Sequence, residues 1–162
     1  DSRNFLSEKQ DLAGLYYKET VLTRSIPRVL ATDAALALIA DLAGKHGSIL
    51  FHQSGGCCDG SAPMCYPTMD FIIGDSDVFM GEIGGAAFHM SESQFAYWKH
   101  TQLIIDVVPG NGGMFSLENG TGRRFLTRSR LFTDAEWLAV DQEDRTVTLA
   151  SPTPPAQPAS AR

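Results

Sequence analysis

Apolar positions in this chain switch between two periods. Ala35, Leu38, Ile39 and Leu42 recur at helical spacing, Thr32 stands where a side chain caps the first amides, and Gly47 follows the last turn. A helix over 33–46 is predicted. Ser48-Ile49-Leu50-Phe51 is a short apolar run that reads as a buried strand. Asp77–Ile83 and Ala86–Met90, separated by Gly84-Gly85, read as a hairpin, and the branched residues of Leu103–Val108 as a strong strand. Met69–Ile73, Met114–Leu117, Arg124–Leu131 and Thr146–Leu149 complete the expected strands, with Pro109-Gly110-Asn111-Gly112-Gly113 as a loop.

Capping signals add short helices. Ser7-Glu8-Lys9-Gln10 and Ser91-Glu92-Ser93-Gln94 have the S-x-x-Q form of a capping box, which places helices over 8–18 and 95–99; Thr133-Asp134-Ala135-Glu136 caps one more helical turn. Helices first and strands with glycine turns afterwards predict an α+β fold: N-terminal helices followed by a mainly antiparallel β-sheet in a single domain over residues 1–150. Beyond Ser151, prolines alternate with small residues, so 151–162 reads as a disordered tail.

At 162 residues, 43% hydrophobic and 20% charged, the chain is long enough for one domain with a real core. A net charge of −6 disfavours nucleic acid or an anionic membrane as partner. Arg123, Arg124, Arg128 and Arg130 form a local basic cluster, read first as a solvated strand edge and second as an anion site. The chain lacks an apolar run of the roughly 20 residues that spans a bilayer, and Asp1-Ser2-Arg3-Asn4 has no signal-peptide pattern. A cytoplasmic protein is expected.

Candidate chemistry is concentrated in His52-Gln53-Ser54-Gly55-Gly56-Cys57-Cys58-Asp59-Gly60-Ser61-Ala62-Pro63-Met64-Cys65, which contains all 3 cysteines of the chain and one of its 4 histidines. An odd cysteine number cannot form a complete intrachain disulfide set, so reduced thiols are expected. Glycines let a backbone turn closely around a bound group, and thiolate and imidazole are soft ligands for transition metals. The candidate metal ligands are His52, Cys57, Cys58 and Cys65, with zinc as the default ion and copper or iron as alternatives. Because adjacent side chains diverge on an extended backbone, Cys57 and Cys58 need a special turn to share one ion. His89 is a weaker extra ligand, Asp70 and Glu82 weaker still, and Met64 a soft ligand if the ion is copper. The competing thiol-redox reading suffers from Asp59, which raises a neighbouring thiol pKa. The plain alternative is three packed, buried cysteines.

With His52–Cys65, the stretches Tyr97–Gly110, Phe115-Ser116-Leu117-Glu118 and Arg124–Thr133 carry a resemblance to an uncharacterised bacterial family, domain of unknown function 779, often encoded beside aldehyde dehydrogenases. The resemblance implies a link to aldehyde metabolism without an established activity. A fainter likeness, in Thr32–Ala35 and Gly56–Gly60, is to A-type iron–sulfur carriers, whose C-terminal Cys-Gly-Cys this chain lacks. The expectation is a small metal-binding accessory protein with an aldehyde dehydrogenase as partner, homo-oligomerisation being left open. Its rivals are a thiol- or metal-dependent enzyme acting on aldehydes or thiol adducts, an iron–sulfur carrier, and a plain interaction module.

Overall fold

The computed structural model describes residues 25–55 and 61–150. The expected helix over 8–18 and the tail over 151–162 lie outside the described residues. Pro27–Trp137 forms one compact unit; the described residues of the other are 25–26 and 138–150. The elements run β1 (Val29–Ala31), α1 (Asp33–His46), β2 (Ile49–Gln53), β3 (Met64–Pro67), a 3-10 turn (Thr68–Asp70), β4 (Asp77–Ile83), β5 (Ala86–Ser91), α2 (Glu92–Trp98), β6 (Thr101–Pro109), β7 (Arg123–Leu131) and α3 (Asp134–Ala150).

The fold is α+β, with two corrections to the expected plan. Helices do not gather at the N-terminal side among the described residues, since β1 precedes α1, and α2 and α3 lie among and after the strands, where their capping signals stand. Both sheets are mixed. One has the order β1-β6-β7, with β1 parallel and β7 antiparallel to β6; the other has the order β3-β2-β5-β4, with β5 parallel to β2 and the outer strands antiparallel. Parallel pairs join segments far apart in sequence and carry no hairpin signal, so a local pattern reveals only the antiparallel ones. Three expected strands are also absent. Residues 69–73 form the end of the 3-10 turn and a loop, residues 114–117 form turns, and residues 146–149 belong to α3. The helix wins there because Thr133 and Glu136 complete a reciprocal cap, with Thr133 Oγ1 accepting from the Glu136 amide at 3.2 Å and Glu136 accepting from the Thr133 amide at 2.8 Å.

Aromatic rings fill the space between the sheets. Phe51 stacks on Phe88 with centroids 5.9 Å apart and meets Phe125 of the facing sheet edge-on at 4.9 Å. Helix α1 closes one end of this core through its expected stripe, Ala35, Leu38, Ile39 and Leu42, all buried. Thr32 secures it twice: its hydroxyl accepts from the Ala35 amide and donates to Asp106 on β6 at 2.9 Å. Gly84, in the β4–β5 turn, leaves room for Ile39 and Leu36, which an added Cβ would meet at 3.0 and 3.3 Å. The β2 end that leads into the cysteine motif is at the opposite pole.

Each lateral seam between the sheets has its own device. At the β1–β4 seam a bulge between Phe79 and Gly81 lets Gly81 adopt φ 132°, with Val29 Cγ1 3.3 Å from where its Cβ would stand. At the β3–β7 seam, Cys65 N–H donates to Ser116 Oγ at 2.8 Å, Leu117 N–H donates to Cys65 O at 3.0 Å, and Thr127 N–H donates to Ser61 O at 2.7 Å. Loop residues thereby satisfy strand edges that would otherwise be bare.

The basic cluster resolves as the solvated edge: Arg123 pairs with Asp41, Arg128 with Asp106 and Arg130 with Glu136.

Ser116→Ala removes the acceptor of the buried Cys65 amide and the hydroxyl donor to Glu118 at once. Chemical denaturation is expected to show a loss of about 1–3 kcal/mol with an unchanged slope.

Candidate functional site

Strand β2 is buried throughout, and its alternation sends the motif's side chains to two faces. Phe51 and Gln53 face the core; His52 faces outward. Register carries this to β3, where Cys65 lies opposite Phe51 and Met64 opposite His52. Of the four expected ligands, His52 and Cys65 are therefore not brought together: the sheet stands between them. Cys57 and Cys58 lie outside the described residues. Asp70 and Glu82 are exposed, and His100 packs on Trp137 with ring centroids 4.2 Å apart.

On the outer face His52 is 5% exposed and held at both nitrogens. Nε2 meets Asp77 Oδ1 at 2.9 Å, and Nδ1 meets the hydroxyl of exposed Ser54 at 3.2 Å. Asp77 accepts the Gly74 amide on its other oxygen at 2.8 Å. The His52 hydrogen bond, and after it the Gly74 amide, hold the Asp77 carboxyl below the usual carboxylate range. An ionised Asp77 fixes the His52 proton on Nε2 and leaves the Nδ1 lone pair toward Ser54. Phe71 covers the ring at 4.9 Å and itself stacks on Tyr66 at 4.8 Å.

His89 on β5 is the register partner of His52, and Phe79 on β4 that of His89, with ring centroids 5.4 Å apart. Burial, and then the neighbouring His52, lower the His89 pKa, against an opposing pull from Asp77. His89 is thus a neutral imidazole at pH 7, with Nδ1 buried and without a hydrogen-bond partner among the described residues.

The core face carries a second polar group. Burial, and then the Glu118 carboxyl nearby, push the Cys65 thiol up to about 12. Glu118 is fully buried and its pKa is raised by desolvation, against hydrogen bonds from Ser116 and the backbone amides of Glu118 and Phe125. Its Oε1 has no hydrogen-bond partner and lies 2.5 Å from where a Gly112 Cβ would stand, so only glycine fits beside it. Gln53 accepts the Thr127 hydroxyl at 2.9 Å across the same seam. A protonated thiol is a poor ligand and a poor nucleophile, so Cys65 on this face is chemically quiet.

The motif pointed to His52 but not to its partners. Asp77 stands 25 residues further on and is brought in by the β2–β5–β4 register, a parallel step that local pattern does not reveal. Glu118 directly follows the expected strand Met114–Leu117 and was no candidate; a carboxylate between that apolar run and the glycines at 120 and 122 was the available signal.

Among the described residues, no group of three or more His, Cys, Asp or Glu side chains is placed to hold a metal ion. No helix among them is long and apolar enough to cross a membrane. The fold and the site together define a mixed-sheet α+β protein with a carboxylate-oriented histidine near the end of β2. Residues 38–131 match the family described as Domain of unknown function (DUF779), and the chain belongs to that family. A search among curated proteins finds no match.

Two measurements check the core face. In a Cys57→Ser/Cys58→Ser variant the remaining thiol, Cys65, is expected to resist a thiol reagent at pH 8 until the protein is unfolded; rapid reaction in the native state would contradict its burial. For Glu118, a folded pKa above the ordinary 4.5 means that the native state keeps a proton the unfolded chain releases. Its stabilising contribution is complete below pH 4.5 and is lost as pH rises through the folded pKa. Denaturation of the wild type against Glu118→Gln across this range is expected to show the loss in the wild type alone.

Proposed function

We propose that the protein is a transition-metal-binding accessory protein whose site lies at the mouth of the β2 loop, with His52 and the thiolates of Cys57 and Cys58 as ligands. One observation carries the reading: a buried imidazole whose Nε2–H is given to a carboxylate while Nδ1 is held only by an exposed, rotatable hydroxyl. Metal-ligating histidines typically have such an outer carboxylate, which fixes the tautomer and raises ligand basicity. Cys57 follows five residues after His52, within a short loop. Cys65 is outside this reading, because its thiol is on the far face and held protonated.

The accessory role in aldehyde metabolism, with an aldehyde dehydrogenase as partner, rests on the family resemblance; a cytoplasmic setting rests on the odd, reduced cysteine count. A second reading is favoured by the Ser54–His52–Asp77 chain of hydrogen bonds. The same Nδ1 lone pair serves as a general base for a hydroxyl or thiol at the loop mouth, as an enzyme acting on an aldehyde or thiol adduct requires.

Elemental analysis of protein purified without a metal-affinity tag is expected to find about one metal per chain. The ion is expected to be lost in His52→Ala and in Cys57→Ser/Cys58→Ser and kept in Cys65→Ser. Metal-free protein that takes up no zinc, copper or iron when reduced would overturn the reading and leave the general-base alternative.

A further inference from the structure

The chain has two Asn-Gly pairs, Asn111-Gly112 and Asn119-Gly120, one on each side of the 113–118 segment that closes the β3–β7 seam. An asparagine followed by glycine is prone to cyclise, because glycine has no Cβ to shield its backbone nitrogen and leaves the chain free to turn. The structure treats the two pairs differently. Glu118 O accepts from the Thr121 amide at 3.0 Å, which makes Asn119 and Gly120 the central residues of a turn. With Gly120 at φ 84° and Asn119 at negative φ, the turn is type II. The Asn119 amide donates to Ser116 O at 3.0 Å, its Nδ2 donates to Met114 O at 3.5 Å, and Thr121 Oγ1 donates to Glu118 O at 2.6 Å. Cyclisation must rotate the Asn119 Cα–C bond to bring the Gly120 nitrogen to the side chain, and that rotation breaks the bond across the turn.

Asn111-Gly112 has no such restraint. Its flanks are tied, Gly110 N–H donating to Gly122 O at 3.0 Å and Ser116 N–H to Gly113 O at 2.9 Å. Between them, Asn111 and Gly112 have irregular backbone and no hydrogen bond among the described residues, and Asn111 is exposed to water. On its inner side the loop rests on buried Glu118: a Cβ at Gly112 would stand 2.5 Å from Oε1 and 2.7 Å from Cδ. The glycine that this contact demands is the residue that leaves the neighbouring asparagine open to attack.

We infer that Asn111 is a site of self-modification that unlocks the β3–β7 seam. The deprotonated Gly112 backbone nitrogen attacks the carbonyl carbon of the Asn111 side chain and forms a C–N bond; the side-chain amide nitrogen takes up a proton and leaves as ammonia. Water then opens the cyclic imide at either of its carbonyls. Opening at the main-chain carbonyl bond to nitrogen gives isoaspartate, whose main chain runs through Cβ, and opening at the other gives aspartate with the ordinary backbone. No oxidant or reductant takes part. Both products bring a negative charge, and isoaspartate also inserts a methylene into the main chain directly before Gly112. A segment tied at Gly110 and Gly113 and packed on Glu118 has no room for that methylene. Gly112 therefore moves off Glu118, water reaches the carboxyl, and the proton that burial keeps on it is released.

The test is ageing of the full-length protein in mildly alkaline buffer, native and in urea, followed by peptide mapping with mass spectrometry under a separation that resolves aspartate from isoaspartate. In urea both pairs are unrestrained and are expected to react within about twofold of one another, whereas in the native protein Asn111 is expected to react at least about tenfold faster than Asn119. Comparable native rates at the two sites would overturn the inference, as would an Asn111 that survives in the native state for the time it needs to react completely in urea. The seam is read separately, by chemical denaturation of the isoaspartyl form purified from the aged sample, of unaged wild type and of fresh Asn111→Asp. Asn111→Asp has the new charge on an ordinary backbone and is expected to keep the wild-type midpoint, while the isoaspartyl form has a lower one. An isoaspartyl midpoint equal to that of the wild type, or matched by that of Asn111→Asp, would overturn the unlocking.

Discussion

The closure of the β3–β7 seam is the constraint on which the rest of this fold depends. Two small sheets leave strand edges at which amides and carbonyls have no ladder partner, and an unpaired buried amide costs about as much as a lost hydrogen bond. The chain meets this with the 113–118 loop and Ser61, which supply Ser116 Oγ, the Leu117 amide and the Ser61 carbonyl to β3 and β7. Placing Glu118 in that seam is expensive, because a carboxylate loses its hydration there. Its raised pKa is the direct expression of that cost: the group remains protonated to a higher pH instead of carrying a buried charge.

That closure sets where chemistry can occur. With α1 packed on the core and the two seams closed by the Gly81 bulge and the Ser116–Glu118 loop, the outer face of β2 is what remains for chemistry among the described residues. His52 is the last outward-facing residue of that strand, rigid because its neighbours on both sides are in register and Phe71 covers its ring. Asp77 starts β4 on the far side of β5, two strands away, and is oriented by the Gly74 amide. A single histidine is thus fixed by residues from two elements, while the groups that follow it in sequence stand on a glycine-rich segment.

Local elements were legible in the sequence wherever a short-range rule dictates them. The α1 stripe and its Thr32 and Gly47 caps, the Gly84-Gly85 hairpin, the Ser91 cap and the β6 and β7 strands all stand where the pattern places them. Long-range pairing was not legible. β1 has only three residues and becomes a strand because β6 offers it a parallel edge, and β2 and β5 pair in parallel across a separation that a local pattern does not span. Residues 114–117 have strand-like composition, yet they lie over β3 and bond through a hydroxyl and one amide instead of a ladder. Branched and aromatic residues fit any half-buried surface, and such a fit does not specify a strand.

The candidate site divides along the same line. Sequence places His52 and Cys65 in one motif, thirteen positions apart in a glycine-rich stretch, which suggests one shared ion. The pleat decides otherwise. Once Phe51 is committed to the core by its contacts with Phe88 and Phe125, its neighbour His52 must face outward, and antiparallel register then carries Cys65 inward with Phe51. A one-residue slip of β3 would exchange Cys65 and Met64, bringing the thiol beside His52 and the thioether into the core. The buried ladder, the Ser116 bond to the Cys65 amide and the glycine beside Met64 all oppose that slip. The register that keeps one cysteine protonated in the core sets the Met64 backbone opposite His52 on the outer face. Any chemistry of this face is therefore shaped by His52 and the Asp77 that orients it, and Cys65 takes no part in it.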